Sequence, residues 1–158
     1  MRRYLFILSY ISFALWSCVS KGEPEIFIVP KDYIGYLIVV FNQASGYPIR
    51  YDGKKRVYEM PENGILKTQF QPTYGWTSSI EFFYDTISSN TKIPTIMDYH
   101  KIPNDIIAGW TGSSGSMKKN ESSNDRLKYR KSYIGTKTDI LQAIEQSDTV
   151  DLAKIGEF

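Results

Sequence analysis

Apolar residues in this chain come in short runs divided by turn formers, and the strongest run is 36–42. Tyr36, Ile38 and Val40 would share one face of a strand there, and Leu37, Val39 and Phe41 the other. Both faces are apolar, so the pattern predicts a central strand covered on both sides. A shorter run, 26–29, ends at Pro30 and is expected at a sheet edge, since proline cannot donate to a ladder. Strands at 49–51 and 56–60 flank Asp52-Gly53, which has hairpin-turn chemistry. Pro61-Glu62-Asn63-Gly64 is a second turn, with Asn-Gly suited to positive φ, and the chain returns over 65–69. Ile80, Phe82 and Tyr84 alternate with Glu81, Phe83 and Asp85. Further β character is expected over 93–99, at an edge because of Pro94, and over 106–110 and 126–134.

Two segments break this rhythm. Residues 111–125 (TGSSGSMKKNESSND) hold almost nothing apolar and are expected to form a mobile loop. From Thr136 the period becomes helical. Thr136-x-x-Asp139 fits a capping box with Asp in place of Glu, and Ile140, Leu141 and Ile144 are expected on one face of a helix over 137–146. Many short strands at regular spacing, with Gly and Pro between them, predict a mainly β fold, a single β-sandwich with a short C-terminal helix. No repeat period is evident.

The N-terminus bears on location. Arg2 and Arg3 precede an uncharged, mostly apolar run, 4–16, followed by Ser17, Cys18 and a polar stretch. That run suits an export signal and falls short of the ~20 residues of a membrane-spanning helix. Two processing readings compete. Leu15-Trp16-Ser17-Cys18 resembles a bacterial lipobox, in which Cys18 would carry lipid, although Trp16 stands where a small residue is preferred. Alternatively, cleavage after Ser20 would release the protein into the periplasm or medium. The first reading divides the chain into a signal peptide (1–17), a tether (18–25) and one domain (26–158). Cys18 is the only cysteine in the chain. The domain must therefore hold together without disulfides.

Charge narrows the partners. The whole chain is formally +2, and loss of Arg2 and Arg3 with the leader would leave as many acids as bases. A near-neutral domain has no global pull toward nucleic acid, and no nucleic-acid partner is expected.

The stretch 26–70 resembles a family of uncharacterised bacterial lipoproteins. The matching positions are Pro30, Tyr33, Gly35, Gly46, Pro48, Tyr58, Pro61, Gly64, Ile65, Leu66 and Thr68, with Gly112 and Tyr133-Ile134-Gly135-Thr136 fitting its later part loosely. The resemblance implies an exported domain held to a bacterial membrane by its N-terminal lipid, and it implies no activity. The order of strands and turns also resembles transthyretin-like sandwiches, so an Ig-like or transthyretin-like arrangement is expected. That is analogy of fold, which does not carry function.

Candidate chemistry is sparse. The single histidine, His100, has no serine motif beside it; Gly112-Ser113-Ser114-Gly115 lacks the nucleophile-elbow spacing. Asp32, Asp52, Asp85, Asp98 and Asp105 stand singly, without the clustering a metal needs. No cofactor motif occurs. Carboxylates for glycoside hydrolysis can converge from distant strands, with Glu59, Glu62 and Glu81 as candidates. Tyr47, Tyr51, Tyr74, Trp76, Tyr99 and Trp110 lie in or beside predicted turns. They suit either a binding surface for a sugar or protein partner, with Tyr74, Trp76 and Trp110 foremost, or plugs at the ends of the core. Arg126, Lys128 and Arg130 alternate, with Lys118 and Lys119 before them. The stripe reads as the solvated face of an edge strand or as a contact for anionic headgroups or acidic glycans. Asn120-Glu121-Ser122 fits a glycosylation sequon and reads as chance in a bacterial lipoprotein. The expectation is a binding or assembly module for an envelope protein or glycan. Its alternatives are an envelope hydrolase and a small inhibitor or immunity protein.

Overall fold

The computed structural model describes residues 21–73, 76–77, 79–118 and 122–156, with backbone alone at positions 21, 76 and 77. The expected signal peptide, Cys18, Tyr74 and the side chain of Trp76 lie outside the described residues.

The strands in chain order are β1 (Lys21–Gly22), β2 (Glu25–Val29), β3 (Gly35–Val40), β4 (Tyr51–Asp52), β5 (Lys55–Glu59), β6 (Ile65–Lys67), β7 (Trp76–Thr77), β8 (Ile80–Tyr84), β9 (Lys92–Ile93), β10 (Thr95–Ile96), β11 (Ala108–Lys118) and β12 (Arg126–Gly135). Two helices follow, α1 (Lys137–Asp148) and α2 (Leu152–Ile155). One five-stranded sheet has the order β10-β11-β12-β3-β6, the other β4-β5-β2-β8-β9, and β1 pairs with β7 apart from both. The fold is mainly β, a sandwich of two sheets with a short C-terminal helix. Both sheets are mixed: β2 runs parallel to β5 and β8, and β3 parallel to β6 but antiparallel to β12.

Period-2 alternation places the core. Phe27 and Val29 of β2, Leu37 and Val39 of β3, Tyr58, Phe82 and Ile134 meet between the sheets. The Phe27 ring lies 5.0 Å from Tyr58 and 5.2 Å from Phe82. Gly109 makes this packing possible, because a Cβ there would fall 2.2 Å from the Phe82 ring. The opposite face of β3 is also buried. Ile38 and Val40 pack with Leu127 and with Leu152 of α2. Beside them Ile140 and Ala143 of α1 cover Tyr133 and Ile102. The central strand read from 36–42 is therefore covered on both faces, as expected.

Four expectations change. Strand β2 is the middle of its sheet and not an edge; Pro30 follows its last residue and begins a turn, with the Tyr33 amide bonded to the Pro30 carbonyl at 3.1 Å. The strand read over 93–99 is at an edge as expected but is confined to β9 and β10, which Pro94 separates where the chain leaves the edge of one sheet and joins the edge of the other. Residues 111–118 are strand, because β11 runs on to Lys118 in register with β12. Backbone pairing holds this polar stretch where side-chain burial could not, with a bulge between Thr111 and Ser114. Strand β12 lies between β11 and β3, so its basic stripe is not on an edge strand.

The helix has the expected capping box, with the Thr136 hydroxyl accepting from the Asp139 amide and the Asp139 carboxylate accepting from the Thr136 amide at 2.9 Å. It buries Ile140, Ala143 and Ser147, at i, i+3 and i+7, and leaves Leu141 47% exposed, about 100° round the helix from Ile140. Lys131, on the outer face of β12, closes the other end of α1. Its ammonium donates to the Ser147 carbonyl at 3.1 Å and the Asp148 carboxylate at 2.6 Å, where a cation complements the helix dipole.

Candidate functional site

Alternation along β12 decides where its cations go. Ile134 faces the core between the sheets, so Ser132, Arg130, Lys128 and Arg126 share that inward direction. Toward the start of β12 the sheets no longer fill the space between them with apolar side chains, and the basic stripe lines the resulting opening. Two adjoining hollows of about 340 and 370 Å³ share Phe41, Pro72 and Lys128 as lining residues. The first also takes in Asn42, Gln43, Arg126 and one carboxylate, Asp125, the second Thr73, Ser114, Ser116 and Arg130.

The register sets hydroxyls opposite cations. Ser114 pairs with Arg130 and Ser116 with Lys128 across the β11–β12 ladder. Arg130 Nε donates to Ser114 Oγ at 3.2 Å, and Arg126 Nη1 to Ser116 Oγ at 3.2 Å. Gly115, between the serines, faces outward, where a Cβ would fall 2.5 Å from the Tyr129 hydroxyl. On the other wall Asn42 has φ +57. Its side-chain carbonyl accepts from Gln71 Nε2 at 2.6 Å, and the buried Gln43 amide donates to the Phe41 carbonyl at 2.8 Å.

Behind the opening lies a buried ionic group. Glu25 begins β2 on the inward face and is fully buried. Its carboxylate accepts from Arg130 Nη1, from Thr73 Oγ1 at 3.3 Å and from Tyr58 Oη at 3.4 Å. Burial pushes the Glu25 carboxyl above its ordinary pKa, and the Arg130 guanidinium opposes that rise. Burial also raises the Tyr58 phenol, with the Glu25 charge adding to it. Beside Glu25 in the β2–β5 ladder, Arg56 sits over the Phe70 ring at 4.7 Å and pairs with Glu23. The Tyr51 hydroxyl donates to the same Glu23 at 3.2 Å.

Other sequence candidates lie apart. Trp110 is half-buried, its ring stacked on Tyr133 at 5.4 Å and tilted against Tyr99 at 5.2 Å, beside α1. Its contacts are with the fold itself, on the face of the sheet away from the cleft. Tyr47 and Tyr51 are exposed. Glu59 pairs with Arg50, Glu81 with Lys55 and Lys92, and Glu62 lies in an exposed turn. Glu59 and Glu81 are two strands and two residues apart on one sheet face, roughly 12 Å by strand spacing. His100 is exposed beside Tyr99. Among the described residues no group of three or more His, Cys, Asp or Glu is placed to hold a metal ion. The stripe was visible in the sequence, but its inward direction was not. Glu25 was missed; a lone glutamate opening the apolar run EIFIV was the available signal.

Thus the class is a mixed β-sandwich with a cation- and serine-lined cleft at one end, backed by a buried ion pair. Residues 21–138 match the model of a family of unknown function, DUF6843, and the chain belongs to that family. Among solved structures it is similar to a crystal structure described as "Putative Lipoprotein from Bacillus anthracis", at 21% identity and TM-score 0.49, over 71% of each chain. At that overlap nothing about ligand or location follows from it. The comparison with curated proteins gives no match. Among the described residues no helix is long and apolar enough to cross a membrane.

Proposed function

We propose that this protein is a lipid-anchored component of a bacterial cell envelope that works as a binding module, with Cys18 as the lipid attachment site and the cleft as its binding surface. The observation that carries the binding reading is the inward stripe of Arg126, Lys128 and Arg130 facing Ser114 and Ser116. Cations and hydroxyls convergent on an opening suit an anionic group, since guanidinium and hydroxyl donors match carboxylate and phosphate oxygens. The tether reading rests on the leader and the Leu15-Trp16-Ser17-Cys18 pattern. Two acyl chains hold a protein stably where one does not.

Labelled palmitate fed to the host is the test of the anchor. It is expected to enter the wild-type protein and to be lost in Cys18→Ala. Label in neither protein overturns the anchor and leaves cleavage after Ser20.

A further inference from the structure

The chain enters the domain at the same end as the cleft. Strand β1 ends at Gly22, Glu23 pairs with Arg56, and Glu25 reaches Arg130 in the wall of the cleft. Six residues lie between Cys18 and Glu25, a stretch that spans at most about 25 Å of extended chain. The free end of the β11–β12 hairpin, where Lys118 pairs with Arg126, projects from this same end, because β12 begins where β3 finishes. A lipid on Cys18 would therefore keep this end of the domain, and the cleft with it, within about 25 Å of the bilayer surface. The opposite end carries the turn at Gly64 and the join of β12 to α1.

We infer that the cleft binds the phosphate of anionic lipid headgroups in the membrane that anchors the protein. The inference rests on the tether proposed above. Charge complementarity and chain length act together here. Arg126, Lys128 and Lys118 lie at the anchored end, and an anionic surface attracts basic residues only within about a Debye length, ~8 Å at physiological salt. The serines opposite the stripe can donate to phosphate oxygens, which a bare cationic patch does not offer.

Acylated protein purified from its host membrane tests this in two kinds of vesicle, phosphatidylcholine alone and phosphatidylcholine mixed with phosphatidylglycerol. Amide hydrogen exchange is followed at 114–118 and 126–130, with β2 and β8 as internal reference. Exchange is expected to slow in the anionic vesicles by about 25-fold, at roughly fivefold for each of Arg126 and Lys128 near such a surface. The double variant Arg126→Gln/Lys128→Gln should lose that slowing with β2 and β8 unchanged. Equal exchange in both vesicle types overturns the inference. So does equal protection on adding soluble glycerol phosphate or an acidic polysaccharide to the neutral vesicles, which would make the cleft a site for a free phosphate or a glycan. Failure of the tether shows differently, as loss of the protein from neutral vesicles and absence of palmitate label.

Discussion

Replacing Arg130 by Met removes the partner of a carboxylate that has no exposed surface. In the native protein the Glu25 side chain is 0% and the Arg130 side chain 9% exposed. Breaking such a pair from one side costs about 3–5 kcal/mol, because the remaining charge stays buried. Two donors survive the change, Thr73 Oγ1 at 3.3 Å and Tyr58 Oη at 3.4 Å, so the lower end, about 3 kcal/mol, is expected. For a domain of this size that is a fall in Tm of about 6–12 °C. The loss should depend on pH. Burial already raises the Glu25 carboxyl above 4.5, and without Arg130 nothing cationic of equal proximity opposes that rise. A raised acid stabilises the folded state most below its unfolded pKa, and the benefit disappears as pH rises through the folded value. The deficit of Arg130→Met should thus be smallest in acid and grow toward neutrality. Urea unfolding across pH measures it, and Glu25→Leu in the same background should recover most of the loss by removing the stranded charge. A deficit under about 1 kcal/mol, or one flat with pH, would refute this reasoning by showing that water reaches the pair.

Further outcomes follow from the same geometry. Gly64→Ala should cost more than about 3 kcal/mol in urea unfolding: φ is +71, and the new Cβ would lie 2.2 Å from Tyr33 Oη and 2.3 Å from the Tyr36 carbonyl. Adding Tyr33→Phe should recover only part, since the carbonyl remains. Thr136→Ala removes the cap of α1 and should cost about 1 kcal/mol, read as a Tm lower by about 2–4 °C. Hydrogen bonds from Lys55 and Lys92 hold the Glu81 carboxyl below 4.5. Its contribution is therefore present above that pH and lost as pH falls, and Glu81→Gln should flatten the acid limb of stability while changing neutral stability by less than about 1 kcal/mol.

The elements were largely legible because period and turn chemistry are local. Asp52-Gly53 and Asn63-Gly64 turn the chain as their types demand, with φ of +57 at Gly53 and +71 at Gly64. Thr136 and Asp139 cap the helix they announce. What local pattern could not supply was which strands become neighbours. Strand β2 is central because parallel partners β5 and β8 arrive from later in the chain, and no property of EIFIV names them. Serine- and glycine-rich β11 has too little apolar surface to order itself, and its order comes from the ladder with β12. The cleft depended on both facts. The alternation of Arg126, Lys128 and Arg130 was plain, but only the placement of β12 in the sandwich turns that face toward the opposite sheet, from exposed Arg126 at the mouth to buried Arg130 at Glu25.

A domain held by Cys18 would keep its cleft toward the bilayer. A fluorescent amino acid placed at Ser116, in the cleft, or at Asn63, in the turn at the opposite end, reports this orientation directly in vesicles carrying a headgroup quencher. Ser116 lies level with Lys128 and the end of β3, and Asn63 level with Tyr36, so the two positions differ by about five residues, ~17 Å, along the strand direction. Strong quenching at Ser116 with little at Asn63 is the expected result. Equal quenching at the two positions, or stronger quenching at Asn63, would mean that the cleft does not face the membrane.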